Sequence, residues 1–235
     1  MFCTSTSLNT SIRDKLPCFT FIMMIRRADH ADYPVITNIA VRAHINDDAM
    51  DAYLHPHRHK HRDAYYRQYL DFIEEHSTSQ QCVTIVATED SDPSHITGYA
   101  CWFRQGKSQT ALLWRHEEST SQFLKRKIRE SAPVYYLNTF RNPASSFGHS
   151  WKFGKKEKYF DPNYKDPDEV WFLSEIAVDP EHQRKGIAME LLRWGMQLAR
   201  KDGVPVCLNS TTSGEKLYEK AGFWEVGVVG LFDER

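Results

Sequence analysis

An α/β domain is what this sequence predicts, and three stretches predict it. Val170 to Val178 is an apolar, strand-like run, and Pro180, which cannot donate to a ladder, ends it. Gln183-Arg184-Lys185-Gly186-Ile187-Ala188 then opens a helix whose Ile187, Ala188, Leu191, Leu192, Gly195, Leu198 and Ala199 share one face. Gln81 to Thr88 and Ile96 to Phe103 are two further strands, and the turn chemistry of Asp90-Ser91-Asp92-Pro93-Ser94 makes them an antiparallel hairpin.

The bulk numbers bound the rest. A chain of 235 residues suits one domain with an insertion. Hydrophobic content of 41% against 26% charged supplies a core and argues against global disorder. The net charge of −1 gives no overall pull toward nucleic acid. It hides an asymmetry, since Arg104 to Lys165 carries 13 Lys/Arg against 5 Asp/Glu, a net of +8. The cysteines Cys3, Cys18, Cys82, Cys101 and Cys207 are scattered and odd in number, which reads as reduced core thiols in an intracellular, cytoplasmic protein. No apolar run reaches the roughly 18 residues of a membrane span. Residues 1–20 are Ser/Thr-rich, carry no signal-peptide pattern and read as a disordered leader, with Met23 or Met24 as alternative starts.

In chain order, Phe19 to Arg26 reads as a first strand. Asp29 or Asp32 caps a helix running through His44, with Pro34 in its first turn and Val35, Ile36, Ile39, Ala40 and Ala43 as its apolar stripe. His55-Pro56-His57-Arg58-His59-Lys60-His61 reads as a solvated loop, with pocket-rim or metal-binding roles as alternatives; the pattern designates no metal ligands. Asp63 to His76 is helical. Residues 104–165 break the pattern. They are basic and aromatic, with one helix over Thr120 to Ser131, and read as an insertion packed as a lid, with a surface excursion or nucleic-acid contact as rivals. Gly203 ends the 187–202 helix at its C′ position. Val204 to Asn209 is a strand, Ser210 to Gly214 a polar loop in which Ser213 caps the helix Glu215 to Ala221, and Gly222 to Val229 a last strand.

The turn at Gln183 to Ala188 carries the chemistry. Glycine at 186 admits a close approach to the backbone, and a helix N-terminus flanked by Arg184 and Lys185 suits phosphates. Gln183-x-x-Gly186-x-Ala188, preceded by Ala177-Val178-Asp179-Pro180 and followed about thirty residues later by Gly214-x-x-Leu217-Tyr218-Glu219-Lys220-x-Gly222-Phe223, resembles the signature of the GCN5-related N-acetyltransferases, the GNAT family. The resemblance is close over Val170 to Val229, extends back to Ile22 and leaves out 104–165.

That resemblance implies one GNAT domain over 21–235, with a central mixed, mostly antiparallel twisted sheet flanked by helices and splayed at an acetyl-CoA groove. It implies acetyl-CoA as cosubstrate, its pyrophosphate on Gln183, Arg184, Lys185, Gly186, Ile187 and Ala188, and its pantetheine arm along Ile176, Ala177 and Val178. Val178 N–H faces the thioester oxygen, and Ser210 and Thr211 lie where relatives touch the cofactor, with loop capping as their alternative. Tyr218 stands beside the thiol sulfur, or else only packs the last helix on the sheet. A thiol pKa of about 8.5 against about 10 for tyrosine makes full proton transfer uphill, so Tyr218 supplies a hydrogen bond. An alkyl ammonium with pKa about 10.4 leaves about one part in a thousand neutral at pH 7, so a base is useful. Glu175, the only acid of the central strand, is the candidate, unless it is simply paired with a cation on the sheet face; the 55–61 histidines are the fallback.

The activity expected is N-acetylation of a primary amine by direct attack. The aromatic insertion favours a small-molecule acceptor, while protein N-termini and lysines stay open. The chain is expected to act as a monomer or homodimer, away from membranes and nucleic acid. A CoA-binding regulatory module with little activity is the rival of a different class.

Overall fold

In β3 (Cys82–Glu89) the run Cys82 to Thr88 is buried residue after residue, so the sheet through it must be covered on both faces. The structure is a computed structural model that describes residues 2–3, 23–46, 49–79, 81–115, 119–129, 131–156 and 167–226. Among them seven strands form one sheet: β1 (Phe2–Cys3), β2 (Met23–Arg27), β3, β4 (Asp92–Gln105), β5 (Val170–Val178), β6 (Val206–Leu208) and β7 (Trp224–Glu225). Their spatial order is β2-β3-β4-β5-β6-β1-β7, antiparallel throughout except for the parallel β5–β6 pair. This is the mixed, mostly antiparallel sheet that was expected.

Strand alternation assigns the two faces. Val83, Ile85, Ala100, Trp102 and Leu173 pack under α8 (Ile187–Asp202) through Ile187, Leu191 and Leu192. Val86, Tyr99, Cys101 and Ala177 face α1 (Tyr33–His44) and α3 (Arg62–Thr78) through Ile36, Ile39, Ala40 and Ile73. Helix α8 lies very close to the sheet. A Cβ added at Gly195 would come within 2.4 Å of the Trp102 ring, so only glycine fits there.

Local signals locate most elements to within a few residues. Pro34 sits in the first turn of α1, and Gly203 takes the left-handed conformation that caps α8. Asp29 is the N-cap of a 3₁₀ turn over His30–Asp32 that leads into α1, and Asp32 accepts from Asp29 N (2.7 Å) as well as from Arg26 (2.7 Å). The N-cap of α9 (Glu215–Lys220) is Gly214, not Ser213, whose hydroxyl lies 3.0 Å from that of Thr211. The expected strand over 222–229 is β7 alone among described residues, and Phe19 to Ile22 and 227–235 fall outside them.

Three expectations are corrected. The leader is not uniformly disordered: Phe2–Cys3 is β1, inserted between β6 and β7, while residues 4–20 lie outside the described residues. Cys3 and Cys207 are not free thiols but a disulfide across β1 and β6, a pairing that spacing cannot reveal across 204 residues. Cys82 and Cys101 are buried thiols outside any disulfide, as expected, and burial pushes the Cys82 thiol up to about 12, so it stays protonated and inert. The 55–61 loop is not simply solvated. His55 is buried with Nδ1 2.9 Å from Ser145 Oγ, and buried Arg58 donates to Ile45 O at 2.8 Å.

Over 104–165 the described residues hold α4 (Gln109–Leu112), α5 (Thr120–Arg129), α6 (Ala132–Arg141) and α7 (Phe147–Lys156). Arg104, fully buried, anchors the start of this segment, its guanidinium held between Glu169 (2.8 Å) and Asp202 (2.9 Å). Asp202 also accepts from Trp171 Nε1 at 2.9 Å, and Trp114 packs edge-on against Trp171. The other end rests on α2 (Ala49–Leu54) and α3: Ser146 N donates to Leu54 O (2.9 Å) and Asn142 Nδ2 to Gln68 Oε1 (2.5 Å). No helix among the described residues is long and apolar enough to cross a membrane.

Two outcomes follow from this packing. Gly195→Ala gains about 1 kcal/mol in helix propensity but overpacks Trp102, which costs about 1–3 kcal/mol. Its urea midpoint is therefore expected to fall below that of the native chain. The Glu169 carboxyl is lowered from 4.5 to about 2, first by the Ser108 hydroxyl, then by the Ser108 and Lys107 N–H groups and Arg104. Because the folded value is depressed, its contribution is complete above pH 4.5 and is lost as pH falls toward 2. The stability gap between the native chain and Glu169→Gln should narrow through that window in acid-unfolding curves.

Candidate active site

Strand β5 loses one neighbour partway along. Its parallel ladder with β6 runs from Trp171↔Val206 to Leu173↔Leu208, and beyond it Ser174–Val178 has no strand partner on that edge among the described residues. The opposite edge stays paired to β4 through Gly98↔Val178, and Asp179 N donates to Thr97 O at 2.9 Å. A register shift between Cys101 and Trp102 bulges Ser174 out where β5 and β6 part, which bends the strand. Antiparallel alternation then turns the N–H and C=O of Ile176 and Val178 toward the open edge. Val178 O there accepts only a side chain, Gln183 Nε2 at 3.3 Å.

The turn after β5 is built by Asp179. Its carboxylate accepts from Glu181 N (2.9 Å), starting a single 3₁₀ turn over Pro180–His182, and from Arg42 Nη1 (2.7 Å). Arg184 (φ +66°) and Gly186 (φ +86°) are left-handed, a backbone form that turns successive N–H groups inward as an anion nest. Gly186 is the N-cap of α8, no side chain caps that end, and the first helical bond is Glu190 N to Gly186 O. The N–H groups of the first turn are thus left without intrahelical acceptors. Nothing lies within 4 Å of a Cβ at Gly186, so the space before them is open. A pyrophosphate fits this nest, and an extended amide-bearing arm fits the open edge of β5.

On the α1/α3 side of the same segment lies a buried polar cluster. Glu175 Oε1 accepts from Tyr99 OH (2.6 Å) and lies 3.4 Å from His44 Nε2. Glu175 Oε2 is buried with no hydrogen-bond partner among the described residues. The His44 ring stacks on Tyr69 at 5.8 Å, and Tyr69 and Tyr65 both donate to Asp51 Oδ2 at 2.5 Å. Burial, then the charges of Asp51 and Glu175, push the Tyr69 phenol well up; burial, then Glu175, do the same for Tyr99. These tyrosines are donors to the two carboxylates.

The sequence-derived candidates fall into four groups. Ile176, Val178 and Gln183 to Ala188 are continuous along the open edge and nest, whereas Ala177 is paired to β4 opposite Tyr99 with its side chain in the α1/α3 core. Glu175 shares the segment but faces the other way, paired with Tyr99 and His44 rather than with the lysine or arginine weighed as its bland alternative. Ser210 and Thr211 hydrogen-bond within their own loop, Ser210 Oγ to Thr211 O at 2.7 Å and Thr211 Oγ1 with Ser213 Oγ, and no side chain caps α9. Tyr218 is buried in the α8-side core with Val178 and Ile187, against Phe2 (6.3 Å) and Phe223 (5.9 Å). Burial pushes its phenol further up, so hydrogen bonding is the most it can offer a thiolate.

Sequence reasoning missed His44, Asp51, Tyr65, Tyr69 and Tyr99. Only Tyr99 left a signal. It lies in the expected hairpin, and in the β4–β5 pair it is the diagonal cross-strand neighbour of Glu175, whose direct partner is Cys101.

Residues 156–225 match the family model described as Acetyltransferase (GNAT) domain. A Stachybotrys chartarum protein named Acetyltransferase is 22% identical over 212 residues, covering 89% of this chain and 84% of that protein. A solved Corynebacterium glutamicum structure, described as histone acetyltransferase HPA2 and related acetyltransferase, superposes with a TM-score of 0.53 at 18% identity, covering 90% of each chain. Residues 156–225 thus match a GNAT acetyltransferase domain, and over most of its length the chain is similar to acetyltransferases.

Tyr218 makes its contacts through the ring. Tyr218→Phe should therefore leave the thermal midpoint close to native, within about 0.5 kcal/mol. A larger loss would mark the hydroxyl as structural.

Proposed function

We propose that the chain transfers the acetyl group of acetyl-CoA to a primary amine of a small molecule by direct attack. The observation that carries this reading is the Ser174–Val178 segment. Its backbone lines an open edge that leads into the anion nest, while its one acid, Glu175, reaches a buried polar cluster on the other face.

Acetyl-CoA supplies a thioester carbonyl. The chain's own groups do the rest. The nest at Arg184–Ala188 takes the pyrophosphate, with the helix dipole adding to the attraction. Val178 N–H, on the open edge, donates to the carbonyl oxygen as charge builds on it. Glu175 takes the proton of the attacking ammonium, directly or through a water at Oε2, with His44 beside it as a relay. The C–N bond forms as the C–S bond breaks, the second proton of the attacking nitrogen passes to the departing thiolate, and Tyr218 donates a hydrogen bond to that sulfur.

Two carboxylates, Asp51 and Glu175, within electrostatic reach of Tyr69 make a site suited to a cationic amine. The 142–149 stretch packs over α2 and α3 beside this cluster: Ser145 Oγ lies on His55, and His149 Nδ1 on Tyr53 O at 2.7 Å. Such a cover acts as a lid and suits a compact acceptor better than a protein tail.

Thermal melts with and without acetyl-CoA test the reading. At about 100 times its dissociation constant the ligand adds about 2.7 kcal/mol, which should raise the midpoint of the native chain and not that of Gly186→Trp. An amine panel read by released thiol follows. Glu175→Gln should keep the cofactor shift and lower kcat by about 10²–10⁴. No shift at millimolar acetyl-CoA would sink the transferase reading, and native turnover in Glu175→Gln would remove that residue as the base.

A further inference from the structure

Ahead of the nest, three side chains with metal-ligand chemistry converge from three places in the fold. Glu89 ends β3, His95 lies early in β4, and His182 closes the 3₁₀ turn directly before Gln183. Their ligand atoms lie within 4.8 Å of one another. Glu89 Oε1 is 3.4 Å from His182 Nε2 and 3.6 Å from His95 Nδ1. A tetrahedral zinc ion with bonds of about 2.0–2.1 Å sets its ligand atoms about 3.4 Å apart. Two of the three edges already have that length. The third can close through His95, whose side chain is 47% exposed and can turn.

His182 is held in the orientation a metal requires. Its side chain is only 14% exposed, its ring meets that of His95 edge-on at 5.2 Å, and its Nε2 points at the Glu89 carboxylate. Its Nδ1 is buried, has no hydrogen-bond partner among the described residues, and lies 3.9 Å from Asp179 Oδ1. Metal-bound imidazoles characteristically turn the other ring nitrogen, protonated, toward a carboxylate. Asp179 is itself fixed by Arg42 at 2.7 Å.

We propose that Glu89, His95 and His182 form a divalent transition-metal site of the zinc class, with three protein ligands and a fourth position open to water. Two imidazoles and one carboxylate suit zinc; calcium and magnesium take oxygen ligands. The ion ties the tip of the β3–β4 hairpin to the turn that begins the anion nest. Its occupancy therefore stiffens the segment on which the phosphate-binding N–H groups depend.

The test uses the full chain without an affinity tag, stripped of metal, and titrated with Co²⁺ by visible absorption and with Zn²⁺ by calorimetry. The expected result is one equivalent bound, with the intense visible bands of tetrahedral Co²⁺ and a raised melting midpoint. His95→Ala and Glu89→Gln should each weaken binding at least tenfold while melting near native without metal. Replacing His57 and His59, both exposed in the 55–61 loop, should leave binding unchanged. No bound metal in the native chain would overturn the proposal and leave the trio as a histidine–carboxylate ion pair. So would unchanged affinity in His95→Ala, or loss of binding only in the loop variant.

Discussion

The structure depends on where one ladder stops. Backbone N–H and C=O groups in a sheet interior are almost always paired, because a buried unpaired one costs as much as a lost hydrogen bond. Past Leu173, β5 gives up one neighbour in the middle of the sheet, and among the described residues the open edge at Val178 takes the amide of Gln183 in place of a strand. The bulge at Ser174 starts the divergence, and the Trp102–Gly195 contact presses α8 down so that its uncapped end stands beside the gap. The groove and the nest are two results of one distortion.

What could be read from the sequence was what is local. Pro180, Gly186 and Gly203 each impose a backbone state within a few residues, so the strand, turn and helix they punctuate appear close to their expected limits. The mixed sheet also came through, from strand-like runs and the family signature. What could not be read was what rests on distant pairing. Strand β1 is two residues long and exists because β6 and β7 lie on either side of it and Cys207 faces Cys3. The buried roles of His55 and Arg58 depend on Ser145 and Ile45, which no period connects to a histidine-rich loop.

The candidate site divides the same way. The turn at Gln183–Ala188 was legible because Pro180 and Gly186 act locally and the flanking strand and helix set the signature in context, whereas the cluster around Glu175 was not. Its members come from α1, α2, α3 and β4, and helical periodicity marks Tyr65 and Tyr69 simply as apolar surface. A tyrosine in a core stripe becomes a donor only when a carboxylate such as Asp51 is brought against it, and that is a fact of packing. Tyr218 errs in the opposite direction. The motif marked it for chemistry, yet its ring is embedded between Phe2 and Phe223, so its position is set by the core whatever its hydroxyl contributes.

A period of two sends the side chains of so short a segment to both faces of the sheet. From Glu175 to Val178 the side chains alternate between faces while the backbone addresses the edge. Ile176 and Val178 pack toward α8 and so fix the strand against the helix that carries the nest. Glu175 and Ala177 point to the α1/α3 side, where the acid finds Tyr99 and His44. A one-residue slip in register would drive Glu175 into the apolar layer under Ile187 and Leu191 and expose Ile176 to the polar cluster. The apolar packing on either side therefore holds the acid where an amine could reach it. It also aims the Val178 amide at the edge, because the same alternation sets both directions.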